Sequence, residues 1–236
     1  MKQEILKNMT VVVTDSDFLI DSDGPLLASF VKHKVGNQLL DLCTGNGIVP
    51  LWLIDRGFSG EVVALDIQQQ AVSLLKASVK INRLNNLLVI QQDLRGYVSE
   101  QKYDIICCNP PYFDLDTTLQ SPNPKRRISR SSGSTIKQVT DCVTRNLKAD
   151  GRFYCCFPAS RMKHLFSVLY SSCLNPTRIQ LVRYTETHKP WLLLLESAIG
   201  SKENLQLLPD IIVERNGHRN PYFDDIYRMG LGEDSE

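Results

Sequence analysis

Leu39-Leu40-Asp41-Leu42-Cys43-Thr44-Gly45-Asn46-Gly47 decides the fold, because an apolar strand here passes through a glycine-rich turn into a helix. The strand covers residues 38–42. The apolar run at residues 48–54, closed by Asp55-Arg56-Gly57, has the length and ending of a helix. Strand, glycine turn and helix form the unit of a doubly wound sheet, which binds ligands outside the carboxyl ends of its strands. Thr44, Gly45, Asn46 and Gly47 are therefore candidate ligand contacts, and the two glycines let a ligand approach the backbone closely.

The same alternation continues outward from this unit. Residues 61–65 read as a second strand ending at Asp66, and Ala71, Val72, Leu75 and Val79 then recur at helical spacing up to Asn82. Residues 87–90 read as a third strand followed by Asp93, and residues 103–108 as a fourth ending at Asn109. Residues 114–134 lose periodicity and become rich in Ser, Pro, Thr and Arg, which marks a long loop. Ile136, Val139, Val143 and Leu147 then line a helix closed by Asp150-Gly151, and residues 152–157 form a fifth strand. Pro158 suits a helix start, and Met162, Leu165, Phe166 and Leu169 supply that helix with an apolar face. Residues 178–184 and 191–198 are the last two core strands, joined by a polar link that predicts an antiparallel pair at a sheet edge. Residues 207–213 and the Asn216-Gly217 turn predict a small terminal hairpin.

Alternating strands and helices imply right-handed crossovers. The expected fold is α/β, with a doubly wound, mostly parallel, seven-stranded sheet and an antiparallel edge strand. No repeat, low-complexity tract or linker divides the chain, so one domain over residues 1–236 is expected. Within it, residues 1–37 form a lead-in, residues 114–134 a substrate loop and residues 205–236 a hairpin and tail.

The 236 residues are 42% hydrophobic, enough for one substantial core. Lys and Arg number 27 against 26 Asp and Glu, so no global charge argues for nucleic acid, and any such argument is local. The start MKQEILKNMT lacks the apolar segment of a signal peptide, and no apolar run approaches the ~18 residues of a membrane span. The expectation is a soluble, cytoplasmic protein without a membrane partner, a monomer or weak dimer. The seven cysteines show no CxxC spacing, and the pairs Cys107-Cys108 and Cys155-Cys156 lie in apolar runs, so they read as free core thiols. His33, His164, His188 and His218 are scattered singly, and no metal is expected.

Three acidic residues, Asp41, Asp66 and Asp93, stand at successive strand ends. Asp66 follows the glycine turn by about 20 residues, the spacing at which a carboxylate accepts the hydroxyls of a ribose. A dinucleotide site would need a third glycine where Pro50 stands, which disfavours pyrophosphate. S-adenosylmethionine carries no phosphate, and its sulfonium and amino groups are cationic. Asp41 suits its amino-acid end, Asp66 its ribose and Asp93 its adenine amino group. Ile67 and Leu94, the residues after two of these acids, complete the candidate cofactor contacts.

Asn109-Pro110-Pro111-Tyr112 ends the fourth strand. An exocyclic amine or an amide nitrogen is a poor nucleophile because its lone pair is delocalised. The Asn109 side-chain oxygen and the Pro110 carbonyl can each accept one of its N–H bonds, orienting the nitrogen toward a methyl donor. Tyr112 offers an aromatic face for a planar group to stack on.

In this motif the chain resembles class I S-adenosylmethionine-dependent methyltransferases of the amino-group type, whose fold is Rossmann-like. Within them it is similar to the bacterial tRNA(Val) adenine-N6 methyltransferase family. The matching segments are Phe18-Leu19-Ile20-Asp21 before Leu26-Leu27-Ala28, residues 41–50 and residues 109–113. Asn123-Pro124, Leu207-Leu208-Pro209 and Ile226-Tyr227 match as well. The resemblance implies methyl transfer to N6 of adenine 37, beside the anticodon of a tRNA. It assigns Asn109, Pro110 and Tyr112 to catalysis, and Pro111 and Phe113 to substrate binding. Lys125, Arg126, Arg127 and Arg130, the densest basic cluster, follow the motif closely enough to meet RNA phosphates flanking a flipped base. Two departures are evident: Cys43 stands where the family has the first glycine of its turn, and Ser131-Ser132 replace a His-Glu pair.

Other readings use the same motif. Release-factor glutamine methyltransferases also carry Asn-Pro-Pro-Tyr, usually behind a separate helical N-terminal domain, whereas about 37 residues precede the first strand here, too few for most independent folds. Guanine-N2 or DNA adenine methylation fits the same chemistry, and a non-catalytic RNA-binding protein could keep the fold.

Overall fold

The computed structural model describes residues 1–110 and 136–227. Pro111, Tyr112, Phe113, Lys125, Arg126, Arg127 and Arg130 lie outside the described residues, as do the loop at 114–134 and the Ser131-Ser132 departure.

Among the described residues, nine strands form one sheet. Five of them run parallel: β3 (Leu39–Leu42), β4 (Val62–Asp66), β5 (Leu87–Gln91), β6 (Tyr103–Cys108) and β7 (Leu147–Pro158). β9 (Leu192–Ile199) is antiparallel both to β7 and to β8 (Leu174–Arg183), so the antiparallel strand sits one place inside the β8 edge. With β10 at Gln206–Leu207, the order is β10-β8-β9-β7-β6-β3-β4-β5. The seven expected strands are present, and two-residue strands β10 (Gln206–Leu207) and β11 (Ile211–Ile212) add to the outer side of β8.

Helices cover both faces, and the period-2 alternation of the strands supplies a core to each. On one face Leu39, Ile105, Cys107, Tyr154, Cys156 and Leu194 pack against α1 (Asp23–Phe30), α2 (Ile48–Asp55) and α3 (Gln69–Ile81). On the other, Leu40, Ile106, Cys108, Phe153, Cys155 and Leu195 meet α4 (Ile136–Asn146) and α5 (Met162–Ser171). Pro50 falls in the first turn of α2, where its missing N–H removes no helical hydrogen bond.

The lead-in is structured, which its sequence did not announce. β1 (Lys2–Ile5) and β2 (Val11–Thr14) form a hairpin ahead of α1. Buried Asp55 fastens it by accepting from the backbone N–H groups of Asn8 and Thr10. At the other end of the chain, α6 (Pro221–Tyr227) is tied to α2 through Trp52 Nε1 to the Ile226 carbonyl and through Arg56 to Asp225.

Two sequence expectations are corrected here. The helix before β7 ends at Asn146, and Asp150-Gly151 lies within the strand. The Asn146 side chain closes the helix, donating to the Cys142 carbonyl and accepting from the Ser99 N–H, while Leu147 already pairs with Tyr103. Gly151 serves a close approach: a Cβ there would lie 3.0 Å from the Asp104 carbonyl oxygen, beside the register shift of β6 and β7. The terminal hairpin consists of β12 (Glu214–Arg215) and β13 (His218–Arg219) around Asn216-Gly217, both with positive φ, as a type I′ turn requires. The preceding apolar run pairs with β8 instead.

Candidate active site

Asp41, Asn109 and Cys156 lie on neighbouring strands, on the face of the sheet that α1 and α2 cover. Asp41 pairs with Cys107 across β3 and β6, and Cys108 with Cys155 across β6 and β7, so Asn109 and Cys156 stand one residue further on. The Cys156 thiol donates to Asn109 Oδ1 at 3.1 Å. Pro110 beside it is buried and is the last residue described in the motif.

A cavity of about 180 Å³ opens at these strand ends. Asp41, Thr44, Gly45, Asn46 and Asn109 line it together with Asp17, Phe18 and Asp21 from the lead-in. The lead-in is held there by Asn46 Nδ2, which donates to the Phe18 carbonyl at 3.2 Å, and by Asp21, which accepts from the Gly24 N–H. Asp17 and Asp21 are site residues that the reading of the turn alone missed. The matching segment Phe18-Leu19-Ile20-Asp21 contained Asp21 without a role and left Asp17 out.

Asp41 is 1% exposed, and among the described residues neither its carboxylate oxygens nor the adjacent buried Thr44 hydroxyl has a hydrogen-bond partner. Burial pushes the Asp41 carboxyl up to about 7, and the Asp66 charge adds to the rise. A rise from 3.8 to about 7 sets about 4 kcal/mol against the charged form. A cation in the cavity would relieve that cost.

The turn carries three left-handed residues: Cys43 at φ 57°, Gly45 at 58° and Gly47 at 82°. Cys43 thus occupies a conformation natural to the family's glycine, at a strain on the order of 1–3 kcal/mol, while its side chain packs partly on the core. At Gly47 a Cβ would lie 2.2 Å from Leu75 Cδ1, so the turn closes directly onto α3. Asp66 spans the turn, accepting from Gly45 N–H through Oδ2 and from Gln68 N–H through Oδ1, each at 2.9 Å. Burial raises its carboxyl above the usual range against these bonds. Each oxygen keeps a lone pair for a further donor. Ile67 beside it is 41% exposed, an apolar surface at the strand end.

Asp93 is placed differently. Its Oδ1 caps the 3-10 turn Leu94–Gly96 through Arg95 N–H, and its Oδ2 accepts from the Arg95 guanidinium. That guanidinium holds its carboxyl below the ordinary value. Leu94 is buried in the second core. Among the described residues no three His, Cys, Asp or Glu side chains gather as a metal cage, and no helix is long and apolar enough to cross a membrane.

A doubly wound sheet with β9 inserted between β7 and β8 is a fold shared with solved methyltransferase structures. A predicted O-methyltransferase from Agrobacterium tumefaciens superposes with a TM-score of 0.70 at 16% identity, over 86% of this chain and 94% of that one. A SAM-dependent methyltransferase from Aquifex aeolicus does so at 0.53 and 16% identity, over 75% and 90%. The Methyltransferase small domain family matches residues 9–123. The chain is 32% identical to the tRNA1(Val) (adenine(37)-N6)-methyltransferase of Bacteroides thetaiotaomicron over 163 residues, 66% of this chain and 68% of that protein. It is 28% identical to the enzyme of the same name from Pedobacter heparinus, over 67% of this chain and 68% of that protein. The protein belongs to the tRNA1(Val) (adenine(37)-N6)-methyltransferase family.

Proposed function

We propose that this methyltransferase transfers the methyl group of S-adenosylmethionine to N6 of adenine 37 in tRNA1(Val), in the cytoplasm. The observation that carries the reading is the pairing, in one cavity, of an amide acceptor for the target amine, Asn109, with a buried and unpartnered carboxylate, Asp41. The relatives' names supply the nucleotide and the tRNA.

Bound S-adenosylmethionine supplies an electrophilic methyl on a positively charged sulfur. Asp41, with Asp17 and Asp21 at the same wall, would hold its cationic amino-acid end, which fits the uncompensated buried charge described above. Asp66 would accept from the ribose hydroxyls with the lone pairs its backbone bonds leave over, and Ile67 would cover one side of the adenine. Asp93 would reach the adenine amino group only by sharing itself between that group and Arg95. Pro50 removes one N–H from the start of α2, which suits a cofactor without phosphate.

Asn109 Oδ1 accepts from the Cys156 thiol, and an amide oxygen can accept from a second donor, which here would be the amine of adenine. With the Pro110 carbonyl it would hold both N–H bonds, so that the nitrogen lone pair faces the methyl. No general base is required, because the methylated nitrogen is acidic enough to lose its proton to water. Tyr112, Pro111 and Phe113 would bracket the base, and Lys125, Arg126, Arg127 and Arg130 the neighbouring phosphates.

The test is mass spectrometry of nucleosides from tRNA1(Val) of cells with and without the gene, with methylation of the unmodified transcript by purified protein. N6-methyladenosine at position 37 that persists without the gene, together with an inert protein in vitro, would refute the reading.

A further inference from the structure

The loop between β8 and β9, residues 184–191, lies at the same edge of the sheet as Asn109. β8 runs parallel to β7 and ends there, and β9 starts there. Trp191 is locked into both neighbours: its N–H donates to the Val182 carbonyl, and its carbonyl accepts from the Ala159 N–H, each at 3.0 Å. Cys156, which touches Asn109, pairs with Leu194, so Trp191 stands three residues further out along β9. Three residues of strand span about 10 Å and two strand spacings about 10 Å, which puts the Trp191 backbone about 14 Å from Asn109. Stacked nucleotides repeat at about 3.4 Å, so this is the reach of roughly four of them.

The loop carries aromatic rings and positive charge. Trp191 is 37% exposed and Tyr184 48%, although large aromatic surfaces are costly to leave in water. Tyr184 is oriented by its hydroxyl, which donates to Glu214 Oε2 at 2.8 Å, and by the edge-on ring of His188 at 5.7 Å. The acidic residue of the loop, Glu186, is neutralised by Arg215 at 3.1 Å. Lys189 is exposed and makes no ion pair among the described residues. Lys163 is exposed at the start of α5, four residues after Ala159, whose N–H bonds the Trp191 carbonyl.

We propose that this loop is a stacking platform for the single-stranded bases next to the target adenine, with Trp191 and Tyr184 presenting ring faces and Lys189 meeting a phosphate. The inference rests on the RNA reading above. Unpaired bases stack on exposed aromatic rings with little regard to sequence, and free lysines beside the rings neutralise the backbone. A protein partner would gain from the rings but not from the lysines.

The experiment measures binding and steady-state methylation of unmodified tRNA1(Val) transcript by wild type, Trp191→Ala, Trp191→Phe, Tyr184→Ala and Lys189→Ala, with calorimetry of S-adenosylmethionine alongside. Loss of a stacked base is expected to raise Kd and KM about 5- to 150-fold in each aromatic-to-Ala variant, with cofactor affinity and kcat nearly unchanged. Trp191→Phe should recover most of the loss. Lys189→Ala should reduce the slope of log affinity against log salt by about 0.7. If Trp191→Ala fails to fold, Tyr184→Ala and Lys189→Ala, on the exposed loop, still decide. Wild-type tRNA affinity and KM in the aromatic variants, with parallel salt curves for Lys189→Ala, would overturn the platform and leave the RNA reading standing. A wild-type protein that neither binds nor methylates the transcript would overturn both.

Discussion

The Cys156 thiol donates a 3.1 Å hydrogen bond to the side-chain oxygen of Asn109, the atom that would receive the target amine. The two residues come from adjacent strands, β7 and β6, so the sheet itself fixes which way the amide faces. A sulfur donor is weak, so the thiol orients the oxygen more than it competes with a substrate amine for it.

Cys156→Ala should therefore lower the single-turnover methylation rate by about 2- to 12-fold, the worth of one net hydrogen bond. Affinity for S-adenosylmethionine should not change. Cys156→Ser keeps a donor and should restore most of the rate. If the Ala variant turns over like wild type, the thiol merely fills the core.

Asp66 accepts two backbone hydrogen bonds, one from Gly45 in the turn at 43–47 and one from Gln68 after its own strand. Asp66→Ala should weaken S-adenosylmethionine binding about 10- to 150-fold, the loss of 1.5 to 3 kcal/mol from a charged acceptor. Thermal unfolding without cofactor checks the backbone role, since part of the loss is the unlocked turn. A folded variant with unchanged calorimetric affinity would remove Asp66 from the site.

The parallel strands were legible because their apolar runs end on polar residues: Asp66 and Asn109 mark the carboxyl ends directly. The turn at 43–47 was legible through its glycines, and the structure gives each a left-handed φ. The lead-in was not legible, because the β1–β2 hairpin is fastened by Asp55, 45 residues or more away, and no local pattern reports such a bond. Asp17 and Asp21 stayed without a role for the same reason, since their place at the cavity depends on Asn46 gripping Phe18. Asp93 was legible as a strand-end acid, but local sequence did not reveal that Arg95, two residues on, would occupy it.

Gly45 and Gly47 separate two causes of intolerance in one turn. Both have positive φ, but a Cβ at Gly45 meets only Phe18 at 4.0 Å, whereas at Gly47 it would strike Leu75 at 2.2 Å. Gly45→Ala should cost about 1–2 kcal/mol of stability through the backbone alone. Gly47→Ala should cost about 2–4 kcal/mol, because displacement of Leu75 adds to the strain. Urea unfolding of both variants decides; equal losses would mean that α3 yields freely.

Asp41 predicts a pH dependence whose sign follows from its buried, unpaired carboxyl. Its carboxyl, at 3.8 when exposed, is pushed up to about 7 in the fold, so the folded state holds a proton that the unfolded chain has released. Its contribution to stability is therefore greatest below about pH 4 and is lost as pH rises toward 7, by about 4 kcal/mol in all. A cationic ligand reverses the preference by stabilising the charged form. S-adenosylmethionine should thus bind more tightly as pH rises through 7, taking up no proton at pH 8 and releasing one from Asp41 at pH 6. Asp41→Asn removes the buried charge. It should raise the stability of the cofactor-free protein at pH 8 by up to about 4 kcal/mol, weaken cofactor binding and flatten its pH profile. Calorimetry at pH 6 and 8 in buffers of different ionisation enthalpy measures both the affinity and the proton released. An affinity that is flat across this range in the wild type, with no proton exchanged, would show that Asp41 does not face the cationic end of the cofactor.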